Sequence, residues 1–245
     1  MRKVLWFGYS TTGNYRKRNE DYFKFYEFSE DHYFIAIADG MGGHSHGDIA
    51  SKLATDFCFE FYRNNYFKKG IKTIDVLDKA VFYSHNQLRN LTNKIDEKLI
   101  VGTTLSILII KDGKASIIHV GDTRIYLLRE DNILQLTTDH SLVNSLVRQK
   151  VLTYKEADNY PRKNVLVQSI GVKVNISPQK LQTFKVEKGD IFFLSTDGLH
   201  AMFNNNEIHT HLKKLQLKEA VLALTDIALN RGSKDNVTGL AVKLL

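Results

Sequence analysis

Between residues 103 and 136 the chain reads as four short apolar β segments in immediate succession: Thr103 to Ile110, Lys114 to Val120, Ile125 to Arg129 and Ile133 to Leu136. Lys111-Asp112-Gly113 and Glu130-Asp131-Asn132 form the links within two of these pairs. Links this short close antiparallel hairpins, whereas parallel neighbours need a crossover of a dozen residues or more. A doubly wound parallel sheet is therefore a poor fit. On either side the spacing turns helical. Ile49, Ala50, Leu53, Ala54, Phe57, Cys58 and Phe61 share one face, with Asp48 as the expected cap. Asp75 to Asn93 gives a second helix, and Lys218 to Leu229 a third, closed by Asn230-Arg231-Gly232. Between hairpins and final helix, Thr138 to Asn164 is expected to be helical and polar, with a short apolar face over Ser141 to Val147 and a capping box at Thr153-Tyr154-Lys155-Glu156. Consecutive hairpins between helical blocks predict an α+β chain of antiparallel sheets with helices on their outer faces.

The same strands carry acids at their ends. Tyr33-Phe34-Ile35-Ala36-Ile37-Ala38 runs into Asp39-Gly40-Met41-Gly42-Gly43-His44, and Ile191-Phe192-Phe193-Leu194 runs into Ser195-Thr196-Asp197-Gly198. Ile117 to Val120 leads to Gly121-Asp122, and Asp235-Asn236 precedes the strand starting at Val237. Asp is a poor strand former, and clustered carboxylates repel unless a cation sits among them. Each Asp-Gly alone is an ordinary turn. Four such ends together suit a hard divalent ion with oxygen ligands, and Gly40, lacking a Cβ, is a candidate carbonyl donor. Arg16-Lys17-Arg18-Asn19-Glu20-Asp21, ahead of the strand Tyr22 to Tyr26, adds a guanidinium suited to phosphate beside two more acids.

Composition removes several alternatives. With 34 Lys and Arg against 27 Asp and Glu the formal charge is +7. The basic residues are scattered rather than gathered into a nucleic-acid motif, so the surface favours phosphorylated or acidic partners and no nucleic acid is expected. Cys58, the single cysteine, excludes a disulfide framework and a thiolate zinc site, and is expected in the core. No stretch has the length to cross a bilayer, no secretion signal is evident, and a cytoplasmic protein is expected. With two prolines and no low-complexity linker, residues 1–245 are expected to form a single domain.

Eight blocks now stand in order: Arg16 to Asp21, Asp39 to His44, Val101-Gly102-Thr103-Thr104-Leu105, Val120-Gly121-Asp122-Thr123-Arg124, Leu136 to Ser141, Asn164 to Gly171, Ser195 to Leu199, and Lys234-Asp235-Asn236-Val237-Thr238. In this the chain resembles the bacterial type-2C (PPM family) metal-dependent Ser/Thr protein phosphatases. The resemblance implies an α-β-β-α sandwich of two antiparallel sheets flanked by helices, with a flap over about 145–162. It implies two divalent cations, Mn²⁺ or Mg²⁺, bridged by Asp39, with the Gly40 carbonyl on one and Asp197 and Asp235 on the other. Glu20 and Asp21 would reach a metal directly or through water, Asp122 with Asp197 would form a third, weaker position, and Arg16 would hold the substrate phosphate. Phosphoserine or phosphothreonine would be hydrolysed by direct attack of a metal-bridging water or hydroxide, with no phosphoenzyme. Phosphorylated proteins, substrates of a cognate Ser/Thr kinase, and that kinase itself are the implied partners. Met41 stands where animal relatives carry a His proposed as the general acid, so that role stays open, with His44 and His46 as nearby candidates. His119, within an apolar strand, is expected to be structural. A two-metal nuclease, a non-catalytic binding module and a phosphatase devoted to an anti-sigma-factor regulator are the rival readings.

Overall fold

The computed structural model describes residues 3–41, 46–68, 70–95, 101–158, 160–162, 165–172 and 175–245. Strand periodicity sorts its side chains into layers. In β3 (His32–Met41), Phe34, Ala36 and Ala38 face one way and Tyr33, Ile35 and Ile37 the other, all buried. Both faces of this strand are covered, as its continuous apolar run requires. The first set packs on α1 (Gly47–Arg63) and α2 (Thr73–Ile95), through Ala50, Ala54 and Cys58 of one and Leu77, Ala80 and Val81 of the other. The second set meets the facing sheet.

β3 lies in a six-stranded antiparallel sheet. Its order is β2 (Asp21–Ser29), β3, β5 (Leu105–Lys111), β6 (Lys114–Val120) and β9 (Gln179–Lys185), with the short β4 (Gly102–Thr103) on the end of β3. The other sheet runs β1 (Val4–Thr11), β11 (Val237–Leu244), β10 (Ile191–Ser195), β7 (Arg124–Arg129) and β8 (Asn132–Gln135). Phe192 and Leu194 of β10 point into the space between the sheets, while Ile191 and Phe193 point out onto α6 (Asn205–Lys214) and α7 (Leu217–Asn230). The result is a helix–sheet–sheet–helix stack. Each fully buried Phe, Ile or Leu in these three interfaces contributes roughly 1.5–3 kcal/mol.

Sequence expectation and structure differ at several points. Asp48 is not the cap of α1; the helix starts one residue earlier, His46 takes the cap position with φ 89°, and Asp48 lies in the first turn. Ile49 is exposed, and Phe59 and Tyr62 take its place on the buried face. The stretch from Thr138 to Asn164 contains only two short helices, α3 (Leu142–Arg148) and α4 (Tyr154–Asp158), with Asn164 outside the described residues. The capping box before α4 forms as expected, Thr153 N–H donating to Glu156 Oε2 at 2.8 Å and Glu156 N–H to Thr153 Oγ1 at 3.3 Å. Cys58 and His119 are buried, the latter's Nδ1 lying 2.7 Å from Ser106 Oγ. Among the described residues no helix is long and apolar enough to cross a membrane.

Candidate metal centre

The antiparallel topology gathers the acids at one end of the two sheets. Asp21, the first residue of β2, is the register partner of Asp39, near the last of β3. Asp122 follows β6 by two residues, Asp197 follows β10 and opens the one-turn α5 (Asp197–His200), and Asp235 precedes β11 by two. Like charges directly opposite in a sheet are destabilising, so the Asp21–Asp39 pairing is a cost the fold carries for a reason outside its own stability.

The backbone holding these acids is fixed by groups from distant segments. Asp39 N–H donates to Thr104 Oγ1 at 2.8 Å, and the Asp39 carbonyl accepts from Thr104 N–H at 2.9 Å and from Thr103 Oγ1 at 2.8 Å. Asn236 fastens three points of the segment between β1 and β2: its Nδ2 donates to the Thr12 and Arg18 carbonyls, both at 2.9 Å, and its Oδ1 accepts from Glu20 N–H at 2.8 Å. Gly40 N–H donates to the Glu20 carbonyl at 3.0 Å. A Cβ on Gly40 would lie 2.0 Å from the Gly47 carbonyl oxygen, and one on Gly198 2.0 Å from that of Asn236. Backbone approaching backbone this closely leaves room only for glycine. The structure thus supplies a reason for Gly40 that the sequence did not offer, the abutting first turn of α1, whose Gly47 N–H also donates to Glu20 Oε1 at 3.2 Å.

A cleft of about 380 Å³ opens onto this end. Arg16, Glu20, Asp39, Gly40, Asp122, Asp197 and Asp235 all line it, with Met41, Thr104 and Leu166. Asp21 does not; it lies behind, its Oδ2 accepting from Thr196 Oγ1 at 2.8 Å and Thr238 Oγ1 at 2.6 Å. Gly42, Gly43 and His44 fall outside the described residues, and His46 is not part of the lining. The threonine buttresses and Asn236 were not assigned roles from sequence. The only available signal was their presence in the ordered blocks around Asp39, Asp197 and Asp235.

Burial drives the electrostatics. It pushes Asp21 up to about 7, against the two threonine hydrogen bonds, with Asp197 and Asp235 adding to the rise. Burial also pushes Asp122 up to about 8, helped by Asp197 and Asp139, and holds Asp39 well above the usual carboxylate range, where Asp21, Asp197, Asp122 and Asp235 repel it further. Asp197 is raised by burial and by Asp235. Glu20 is raised chiefly by burial as well. Arg16 supplies countercharge at the cleft, its Nη2 lying 2.6 Å from Asp235 Oδ2. Among the described residues Asp21 Oδ1 and Asp197 Oδ1 are buried with no hydrogen-bond partner, as are Asp48 Oδ1 and Asp78 Oδ1 outside the cleft lining.

A buried carboxylate oxygen without a donor costs several kcal/mol unless a cation takes the place of the donor. Oxygen-only side chains with a glycine carbonyl in reach are the donor set of Mg²⁺ or Mn²⁺ rather than of zinc or copper. The residues therefore fit hard divalent ions. Among the described residues no three Asp, Glu, His or Cys side chains come close enough together to hold an ion by themselves. That openness accords with ions that keep several waters and use few protein carboxylates each.

Comparison with known proteins agrees with this geometry. The family model described as protein phosphatase 2C matches residues 14–229. Protein phosphatase PhpP of Streptococcus pneumoniae is 36% identical over 238 residues, covering 92% of each chain. Serine/threonine phosphatase stp of Listeria monocytogenes is 32% identical over 245 residues, covering 94% of this chain and 92% of the relative. The crystal structure of Stp1 from Staphylococcus aureus superposes with a TM-score of 0.88 at 29% identity, covering 99% of this chain and 95% of its own. The catalytic domain of PstP, crystallised in complex with two manganese ions, superposes over 100% of both chains with a TM-score of 0.84 at 26% identity. By sequence, by fold and by the acids gathered at its strand ends, this chain belongs to the protein phosphatase 2C family.

Proposed function

We propose that the acidic cleft is the catalytic centre of a metal-dependent protein serine/threonine phosphatase that hydrolyses phosphoserine and phosphothreonine monoesters. One observation carries the reading: buried acids converge from four strand ends with unpartnered oxygens and too little countercharge of their own. The PstP structure with two manganese ions supports it. Asp39, the Gly40 carbonyl, Asp197 and Asp235 would hold the two cations, with Asp39 shared between them. Glu20 and Asp21 would reach a metal directly or through water, and Asp122 with Asp197 would offer a weaker third position. Two Mn²⁺ or Mg²⁺ ions in such a site lower the pKa of water toward neutrality and offset charge on a phosphoryl group.

The chain's own residues account for the rest. Arg16 is half exposed at the cleft and rests on Asp235. Its guanidinium fork has the geometry to take two phosphoryl oxygens, where it would favour the charge that develops during transfer. Asp21, behind the lining, holds Asp39 in place through the paired strands and is itself oriented by Thr196 and Thr238. Cys58, on the buried face of α1, lies in the core, and burial pushes its thiol far up, which leaves it without the thiolate a covalent route needs. A cysteinyl-phosphate route is thereby closed, and direct attack by a water or hydroxide, with no phosphoenzyme, is the route that an acidic, cation-holding cleft supports. Residues 145–162, including most of α3 and all of α4, form a flap that selects among phosphoprotein substrates. The whole of 1–245 is read as one domain, working against a cognate Ser/Thr kinase whose substrates it shares.

Hydrolysis of a phosphothreonine peptide tests the reading. Activity with Mn²⁺ is expected to vanish with chelator and to fall by about a thousandfold or more in Asp39→Asn. Turnover that survives both conditions, or metal-dependent activity greater on DNA than on the peptide, would overturn it.

A further inference from the structure

A second cleft, of about 410 Å³, is as large as the first and opposite to it in charge. It lies at the other end of the six-stranded sheet. Lys111, in its lining, is the register partner of His32 at the start of β3, seven residues before Asp39 and so about 23 Å away along the strand. Lys72, Thr73, Lys111, Lys114, Ser116 and Thr183 line it.

Three features point to an anion. The register sets Lys111 opposite Lys114 and Lys114 opposite Lys185, a row of ammonium-bearing residues on three neighbouring strands. Like charges so placed weaken a sheet unless a counter-ion lies among them. The lysine ion pairs among the described residues belong instead to Lys24, Lys52, Lys180 and Lys213. Lys111 Nζ stands 5.3 Å over the Tyr66 ring, a contact that orients the side chain without cancelling its charge. The 23-residue α2 begins at Thr73, inside the lining, so the positive dipole end of a long helix meets the same space, with Asp75 in its first turn and the Asp75 and Val76 amides donating to the Lys72 carbonyl. Ser116, buried, and Thr183 hydrogen-bond to each other at 2.8 Å, and one of the two hydroxyls keeps a proton to donate. One acid, Asp112, shares the lining at the hairpin tip, leaving the three lysines in excess.

We propose that this cleft is a second binding site, for a phosphoryl dianion, carried by a small phosphate ester or by a phosphorylated residue of a protein. Three lysines in one lining, a helix start and hydroxyl donors match a group with three acceptor oxygens and up to two charges, rather than a single carboxylate. The site stands on its own residues and does not depend on the reading of the acidic cleft.

Amide NMR shifts of the Mg²⁺-loaded full chain, titrated with inorganic phosphate and separately with a peptide carrying a non-hydrolysable phosphonate analogue of phosphothreonine, test it. Thr73 and Ser116 report on the basic cleft and Thr104 on the acidic one. Saturable shifts at Thr73 and Ser116 are expected, weakened roughly tenfold or more when Lys72→Ala, Lys111→Ala and Lys114→Ala are combined. Thr183→Glu is expected to act in the same direction, and neither variant should change hydrolysis of a small aryl phosphate. Tighter binding of the peptide would identify a protein-borne group, and equal binding a free phosphate ester; either supports the site. Shifts confined to Thr104, or basic-cleft shifts unchanged in a folded triple variant, would overturn it.

Discussion

Two sets of buried acids in this molecule are solved in opposite ways. Asp190 is 1% exposed and fully answered: Arg129 Nε donates to its Oδ1 at 2.9 Å and Nη2 to its Oδ2 at 2.7 Å, and Glu187 N–H adds a third bond at 2.8 Å. Asp139 is gripped likewise by Arg124, with donors at 2.7 to 3.2 Å. At the strand ends, Asp21 is buried and Asp39, Asp122 and Asp197 are partly buried along the cleft, yet among the described residues Asp21 and Asp197 keep an oxygen without a donor and desolvation raises all four. The difference separates an acid that belongs to the fold from one held for an ion. What distinguishes them is the partner: arginines answer Asp190 and Asp139, whereas the strand-end acids chiefly face one another.

The largest test of that contrast removes one acid from each set. Asp39→Asn is expected to lower activity by about a thousandfold while raising the melting temperature of the chelated protein, because a repelling charge has gone. Arg129→Ala, which strands Asp190, is expected to cost about 3 kcal/mol in denaturant unfolding and leave metal-supported turnover in the folded fraction intact. If both variants destabilised the chelated protein alike, the two sets would not differ in kind.

Dependence on pH sharpens the comparison. Asp21 and Asp122, at about 7 and about 8 when folded, bind protons more tightly than in the unfolded chain. The folded state then carries more protons, and stability of the chelated protein falls as pH rises from about 4 through 8. Melting curves should show this slope with chelator and lose it with saturating Mn²⁺. A flat chelated profile would mean that the acids are neutralised from within. The smallest effect is expected at Thr238→Val, which removes one of two donors to Asp21 Oδ2 and should cost about 1 kcal/mol, read by denaturant unfolding, with only a few-fold loss of activity.

What the sequence revealed follows from how far apart the interacting groups lie. An apolar run ending in Asp-Gly is a local pattern, so Asp39 and Asp197 were readable, and short turns between β segments gave the antiparallel pairing. β1 and β9 escaped notice because edge position leaves them half exposed and mixed in composition, as in Gln179–Lys185 with its alternation of partly buried and exposed residues. α6 was missed although Asn204 and Glu207 form a reciprocal capping box, since its polar surface blurs the helical period. The Asp48 cap was misplaced by a left-handed His46 that no local rule demands. Thr238, which orients Asp21, is 217 residues away from it, and contacts at such a distance leave no local signature.

Asn236 sits just before β11, the last strand, which slots between β1 and β10, and its side chain fastens the loop carrying Arg16 and Glu20. Without β11, β1 has no hydrogen-bonded strand beside it, Asp235 is missing and the loop carrying Arg16 and Glu20 has no anchor. The cleft is therefore a seam between segments more than two hundred residues apart, and it takes shape only when the stretch bearing Asp235 has folded back onto the one bearing Arg16.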